Sequence, residues 1–318
     1  MTDINTILVG TDLSEFSRRA GKRAAMLCAY SECRWVELLT VKEAGLPEAM
    51  GLVLKSSAAE AEAILVDRTM RELRLTCGHL TDNHGIRCTH TVRFGRPEKE
   101  IVARADELSV GLTVIGARGG NFFTDLFLGN TADKLARMSK TPLLLVKNEI
   151  TAPYSQVLVP VDFSENSRRA AQLALKVASD ARITFPHVFD VIVEEQMQYV
   201  NVAHDIIHEY HVKAAEAARH DLNQFIASLD VPRRSVSRIV AFGHPGHVIY
   251  DQAKSVKPDL IVLGKHGRSR LEEFLLGSTS RHVLEQCFCD VLIVPAPIRP
   301  AAETAFHPAQ NPSTGNLV

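Results

Sequence analysis

Charge imbalance is the first thing this sequence lacks: 36 Lys and Arg stand against 37 Asp and Glu, a net charge of −1 over 318 residues. General nucleic-acid and anionic-membrane binders carry a basic excess, so both classes are set aside. There is no apolar run approaching the ~20 residues of a spanning helix. The N-terminus, MTDINTILVG, has no basic leader and enters a β-branched run at once. The six cysteines (Cys28, Cys33, Cys77, Cys88, Cys287, Cys289) include no CxxC. Scattered cysteines of this kind read as reduced thiols, and the expected location is cytoplasmic. A Walker A motif is missing, because no G-x4-G-K-[ST] occurs. No Ser-His-Asp or Cys-His set can be assembled, and no paired carboxylates recur in both halves.

What the chain does have is a duplicated glycine spacing. Gly116, Gly119 and Gly129 read G-x2-G-x9-G, and so do Gly264, Gly267 and Gly277. At an average glycine content of about 7%, three at fixed offsets arise by chance in roughly one chain in ten of this length. Two copies in register are a different matter. ILVGTDLSEFSRRAGKRA from Ile7 matches VLVPVDFSENSRRAAQLA from Val157, so Asp12 faces Asp162 and Ser14 faces Ser164. FGRP at Phe94 matches FGHP at Phe242, LTVIG matches LIVLG, and PLLLV aligns with DVLIV. The middles, about 43–85 and 193–230, have little in common.

Each half alternates strands with helices. Strands are expected at Thr6–Asp12, Trp35–Val41, Arg87–Phe94, Leu112–Ile115 and Leu143–Val146. Their counterparts are Gln156–Asp162, Ile183–Val188, Ser235–Ala241, Leu260–Leu263 and Val291–Val294. One long central helix is expected in each half, Ser56–Leu80 and Asn201–Leu229. Ser14 suits a helix N-cap, and Pro97 suits a first helical turn. This order implies parallel α/β: two tandem doubly wound domains, 1–148 and 154–297, each a five-stranded sheet with helices on both faces. The remainder, 298–318, lacks periodicity and is expected to be disordered. Ligands of such sheets sit at the carboxyl ends of the strands, where Asp12, Asp162 and both glycine loops fall.

With Asp closing the first strand and G-x2-G-x9-G-[ST] following the fourth, both halves resemble the universal stress protein A family, over about 4–148 and 154–297. The resemblance implies an adenine nucleotide alpha-hydrolase-like fold and, in some members, binding of ATP. It places Pro160, Val161, Asp162 and Val188 at the nucleoside. Gly264, His266, Gly267, Gly277, Ser278 and Thr279 become the phosphate loop. The corresponding first-half residues are Thr11, Asp12, Val41, Gly116, Arg118, Gly119, Gly129, Asn130 and Thr131. The first half departs from the pattern: Gly10-Thr11-Asp12 replaces the Pro-containing segment, Asn130 stands for Ser, and Thr40 stands where His187 lies. Binding is therefore expected more firmly in the second half.

Blander readings stand beside these. The glycines could serve the turn alone. Asp12 and Asp162 could cap the helices that follow them. His204, His208 and His211, at i, i+4 and i+7, share a helix face and could bind Zn²⁺, though a polar helix face explains them as well. Three functions follow. The chain could be a stress or signalling protein holding ATP, with or without Mg²⁺. It could be a ligand-free interaction module, or a slow ATP-hydrolysing enzyme. The resemblance also implies pairing through the last strands, here PLLLV with DVLIV inside one chain as a pseudo-dimer. A further homodimer and the protein partners stay open.

Overall fold

The computed structural model describes residues 4–55, 57–117, 128–149, 151–189, 204–229, 236–267 and 275–296. The first half runs β1 (Thr6–Gly10), α1 (Glu15–Ala29), β2 (Trp35–Lys42), α2 (Leu46–Leu54), α3 (Ala58–His84), β3 (Cys88–Phe94), α4 (Pro97–Glu107), β4 (Leu112–Gly116), α5 (Asn130–Met138) and β5 (Leu143–Val146). The second runs β6 (Gln156–Leu158), α6 (Glu165–Val177), β7 (Arg182–Phe189), α7 (His204–Ala227), β8 (Val236–Phe242), α8 (Pro245–Val256), β9 (Leu260–Gly264), α9 (Ser278–Gln286) and β10 (Asp290–Val294).

The ten strands among the described residues form one sheet in the order β3-β2-β1-β4-β5-β10-β9-β6-β7-β8. Each half contributes a parallel five-stranded order that reverses direction beside its first strand. β5 and β10 pair antiparallel, with Leu144 opposite Leu292. The apolar edges expected at PLLLV and DVLIV thus cover one another, which removes an exposed edge from each half.

Strand residues alternate between two cores, as the pleat demands. Ile7, Val9, Val36 and Leu38 point to the face packed by α1, α3, α6 and α7. Leu8, Leu39, Leu145 and Ile261 point to the face packed by α4, α5, α8 and α9. Both faces being covered, the strands read as continuous apolar runs.

Two expectations needed correction. The first-half middle holds two helices, not one. α2 opens with Pro47 in its first turn and ends at Lys55, whose φ is 53°. α3 then starts at a capping box, in which Ser57 accepts from the Glu60 amide and Glu60 accepts from the Ser57 amide. The first strand of the second half stops at Leu158, short of Asp162. Pro160 has no N–H for the ladder, and only an isolated bridge, Val161 to His187, continues it. The expected start of the second central helix at Asn201 and of a strand at Ser235, and the tail 298–318, lie outside the described residues.

A network closes the junction between the halves. Asp290, 1% exposed, accepts from Tyr154 Oη at 2.8 Å and from the Lys147 amide at 2.9 Å, and lies 3.6 Å from Arg23 Nε. The Arg23 guanidinium sits 3.9 Å from the Tyr154 ring centre. Two lysines also cross the junction. Lys147 Nζ donates to the carbonyls of Leu284 and Cys287 at the end of α9. Lys265 Nζ donates to those of Arg137 and Ser139 at the end of α5. Cations at helix C-termini satisfy orphan carbonyls and the dipole together.

Candidate functional site

Where the strand order of the second half reverses, between β6 and β9, a cavity of about 380 Å³ opens at the carboxyl ends of the strands. Its size falls within the range of small-molecule sites. All ten second-half residues singled out above line it: Pro160, Val161, Asp162, Val188, Gly264, His266, Gly267, Gly277, Ser278 and Thr279. Ser167, Pro186, Pro245, Ile249, Leu263 and Ser280 complete the wall. Those six carry no glycine or acidic signature and are brought in only by the folding of α6, β7, α8, β9 and α9.

Three helix N-termini converge here. Ser167, Pro245 and Ser278–Ser280 lie in the first turns of α6, α8 and α9 and all line the cavity. Unpaired amides and aligned dipoles at such ends attract anions. α9 has Gly277 as its N-cap, with no side-chain capping bond, so Ser278 is the first helical residue. The same holds at Gly129 and Asn130 of α5, where Gly129 is the N-cap and Asn130 the first helical residue.

The two described ends of the loop are tightly joined. The Gly277 amide donates to the Lys265 carbonyl at 3.0 Å, and Ser280 Oγ donates to the Gly264 carbonyl at 2.9 Å. A side chain at 264 would start 3.0 Å from Asn166 Cβ, so glycine is demanded by close approach. His266 is 9% exposed, and its Nδ1 has no hydrogen-bond partner among the described residues. Burial, aided by the neighbouring Lys265 charge, holds its imidazole below the usual range. His266 also lines the cavity, and a buried polar atom left without a partner calls for one.

Asp162 does not cap α6. Ser164 is the N-cap and accepts from the Ser167 amide, while Asp162 Oδ1 accepts from Ser164 N at 3.0 Å and Ser164 Oγ at 2.6 Å. Phe163 between them holds φ at 64°, a costly conformation for a non-glycine residue. The turn aims the Asp162 carboxylate back toward the glycine loop. Behind it His187, 8% exposed, bonds the Val161 carbonyl through Nδ1 at 2.8 Å and stacks on Phe163 with ring centres 4.2 Å apart.

The first half repeats this frame. Ser14 caps α1, Asp12 Oδ1 accepts from Ser14 N at 3.0 Å, and Leu13 holds φ at 67°. Thr40 does the work of His187, donating to the Thr11 carbonyl at 2.9 Å. The Gly129 amide closes on the Ala117 carbonyl at 2.9 Å, as Gly277 does on Lys265. Gly116 ends β4, and Thr131 follows Asn130 in the first turn of α5. Val41, on β2, packs against the core under α4 and α5. Arg118 and Gly119 lie outside the described residues. One difference is physical: a Cβ on Gly10 would meet Ile101 Cδ1 at 2.8 Å, so the position of Pro160 is here filled by an isoleucine from α4.

Among the described residues no group of three or more His, Cys, Asp or Glu is arranged to hold a metal ion. The side chain of His204 lies outside them, and His211 packs against Phe242 at 4.3 Å between ring centres. No helix among them is long and apolar enough to cross a membrane.

The model of the universal stress protein family matches residues 3–147 and again 153–295. A universal stress protein of Synechocystis is 28% identical over 150 residues, covering 44% of this chain and 97% of its own. Universal stress protein A homolog 2 of Coxiella burnetii is 32% identical over 146 residues, covering 44% and 94%. Each thus corresponds to half of the present chain. The solved structure of a universal stress protein from Archaeoglobus fulgidus aligns over 92% of this chain and 98% of its own, with a TM-score of 0.63 at 19% identity, which shows the shared fold. With both halves matched, the chain belongs to the universal stress protein family and carries two of its domains in tandem.

Proposed function

We propose that the second half binds an adenine nucleotide, and that the protein is a nucleotide-responsive stress or signalling protein of the cytoplasm. The observation that carries this is His266: a buried, unmatched ring nitrogen in the wall of a cavity faced by three helix N-termini. The glycines leave a cradle that a Cβ would fill. The residues fit ATP as the family resemblance assigns it. Gly264, Gly267 and Gly277 would let phosphates approach the backbone closely, and the first turn of α9, with the Ser278 and Thr279 hydroxyls, would offer them donors. Pro160, Val161, Asp162 and Val188 would hold the nucleoside.

Binding is favoured over turnover. Asp162 is the one carboxylate among the described lining residues. Phosphoryl transfer needs an acid to position metal and another group to orient the nucleophile. The first half, with its matching frame, is proposed as a weaker second site.

Equilibrium binding of a fluorescent ATP analogue to the full chain tests the reading. Saturable binding, displaced by ATP and lost in Gly267→Val, is expected. No binding at millimolar nucleotide, with a melting temperature unmoved by ATP and Mg²⁺, would establish the ligand-free module instead.

A further inference from the structure

Two helices of the second half break a charge pattern that the others keep. Among the described residues, α1 to α7 each carry an acid in the first turn, as the helix dipole favours. α8 and α9 carry none there. The repeat shows what was exchanged. α4 and α8 both begin at a proline, and α5 and α9 both begin after a glycine cap. In that register Glu98, Glu100 and Asp133 of the first half become Gly246, Val248 and Arg281.

Three neighbouring positions stay basic in kind. Arg96, Lys99 and Lys134 become His244, His247 and His282. In the first half Glu98 takes up Lys134 at 3.1 Å. In the second half Gly246 leaves that space open, and a Cβ there would meet the His282 ring at 3.2 Å. The rings gather instead. His244 and His247 lie 5.2 Å apart between ring centres, and His247 and His282 lie 4.9 Å apart.

Among the described residues, the carboxylates on these two helices are engaged elsewhere. Asp251 lies 3.9 Å from Lys254, and Glu285 lies 3.0 Å from Arg281. Tyr250 stands edge-on to His282. β6, which packs under α8, brings no charged residue, and His187 of β7 is turned to the other face against Phe163. The same first turns open on the cavity through Pro245 and Ser278–Ser280. In its wall the deeply buried His266 presents an Nδ1 with no partner among the described residues.

We propose that His244, His247 and His282, once protonated, seat the far end of a phosphate chain whose near end lies at the glycine loop. The proposal rests on the nucleotide reading above and adds selectivity to it. A nucleotide triphosphate tail and free inorganic polyphosphate share the required chemistry. Imidazole is the side chain that takes up charge between about pH 8 and about pH 5. The second half should therefore separate ATP from AMP more sharply as pH falls. The first half, with Arg96, Lys99 and Lys134 in these places, keeps its cations throughout that range.

Calorimetry on the full chain at about pH 5.5 and about pH 8, with ATP, AMP and inorganic tripolyphosphate, is the test. The AMP-to-ATP ratio of dissociation constants at the tighter site should rise at least about tenfold on acidification. In the triple variant His244→Gln, His247→Gln, His282→Gln that rise should vanish. In His244→Arg, His247→Lys, His282→Lys, which copies the first half, the ratio should be high at both pH values. A wild-type ratio unmoved by pH, or one that rises as steeply in the glutamine variant, would overturn the proposal and leave nucleotide binding standing. Absence of both ATP and AMP binding would defeat the nucleotide reading itself. Tripolyphosphate bound only at acid pH, and lost in the glutamine variant, would then assign the histidines to free polyphosphate. Its failure to bind would overturn the phosphate seat as well.

Discussion

The carboxylate of Asp162 stands where a side chain on residue 267 would begin: a Cβ at Gly267 would lie 2.9 Å from Asp162 Oδ2. Two segments a hundred residues apart in sequence thus leave between them only the space a glycine allows. Gly267→Ala should push the carboxylate aside or reopen the loop, weakening ATP-analogue binding by at least about tenfold, or ~1.4 kcal/mol. Stability without ligand should fall by less than the ~3 kcal/mol typical of core damage. A fluorescence titration beside a urea melt checks both; unchanged affinity would remove Asp162 and Gly267 from the site.

His266 gives the proposed site an expected pH dependence of defined sign. Its imidazole is held below the ordinary range, chiefly by burial. A bound phosphate would favour the charged ring and raise its pKa, so binding takes up protons. Affinity for ATP should therefore tighten as pH falls through the window between the two pKa values. His266→Gln should flatten that dependence. An NMR titration of the ring with and without ATP measures the shift, and a downward shift on binding would contradict the assignment.

Lys265 couples the glycine loop of one half to the last turn of the other half's α5. Lys265→Met keeps the length and removes the donor, leaving the Arg137 and Ser139 carbonyls without it. A loss of about 1–3 kcal/mol in urea unfolding is expected. A loss within about 0.5 kcal/mol would mean that water replaces the ammonium at that helix end.

Glu107 sets part of the acid limb of stability. Hydrogen bonds from Arg93 and then Arg104 draw its pKa from the usual 4.5 to about 2. A carboxylate with a depressed folded pKa contributes stability above its unfolded value and loses it as pH falls toward the folded one. The decline attributable to Glu107 should fall between pH 4.5 and about 2. Glu107→Gln should be less steep there, with a small effect at neutral pH because the group is exposed. Thermal melts across that range provide the comparison.

Much of the architecture is legible in local chemistry. LTVIG and LIVLG announce doubly covered strands, and Ser14 and Ser164 announce helix starts, because apolar continuity and capping are written in adjacent residues. The ten second-half site residues come together because the duplication preserves loop spacing. Other features need the assembled molecule. Whether Asp162 caps depends on the left-handed Phe163, which no residue type signals. The unmatched nitrogen of His266 and the reach of Lys265 arise only when β9, α5 and β10 are packed. α2 is hard to read because its nine residues hold both Gly51 and Pro47 and leave Leu52 and Val53 exposed.

The antiparallel junction of β5 with β10 has a consequence for self-association. Two edges that separate chains would have to find by diffusion are here tethered by 147–154, so their meeting is unimolecular. Formation of this seam should not depend on protein concentration. Among the described residues, the sheet ends at β3 and β8. Growth of the sheet from these described ends would lie away from the seam that joins the repeats.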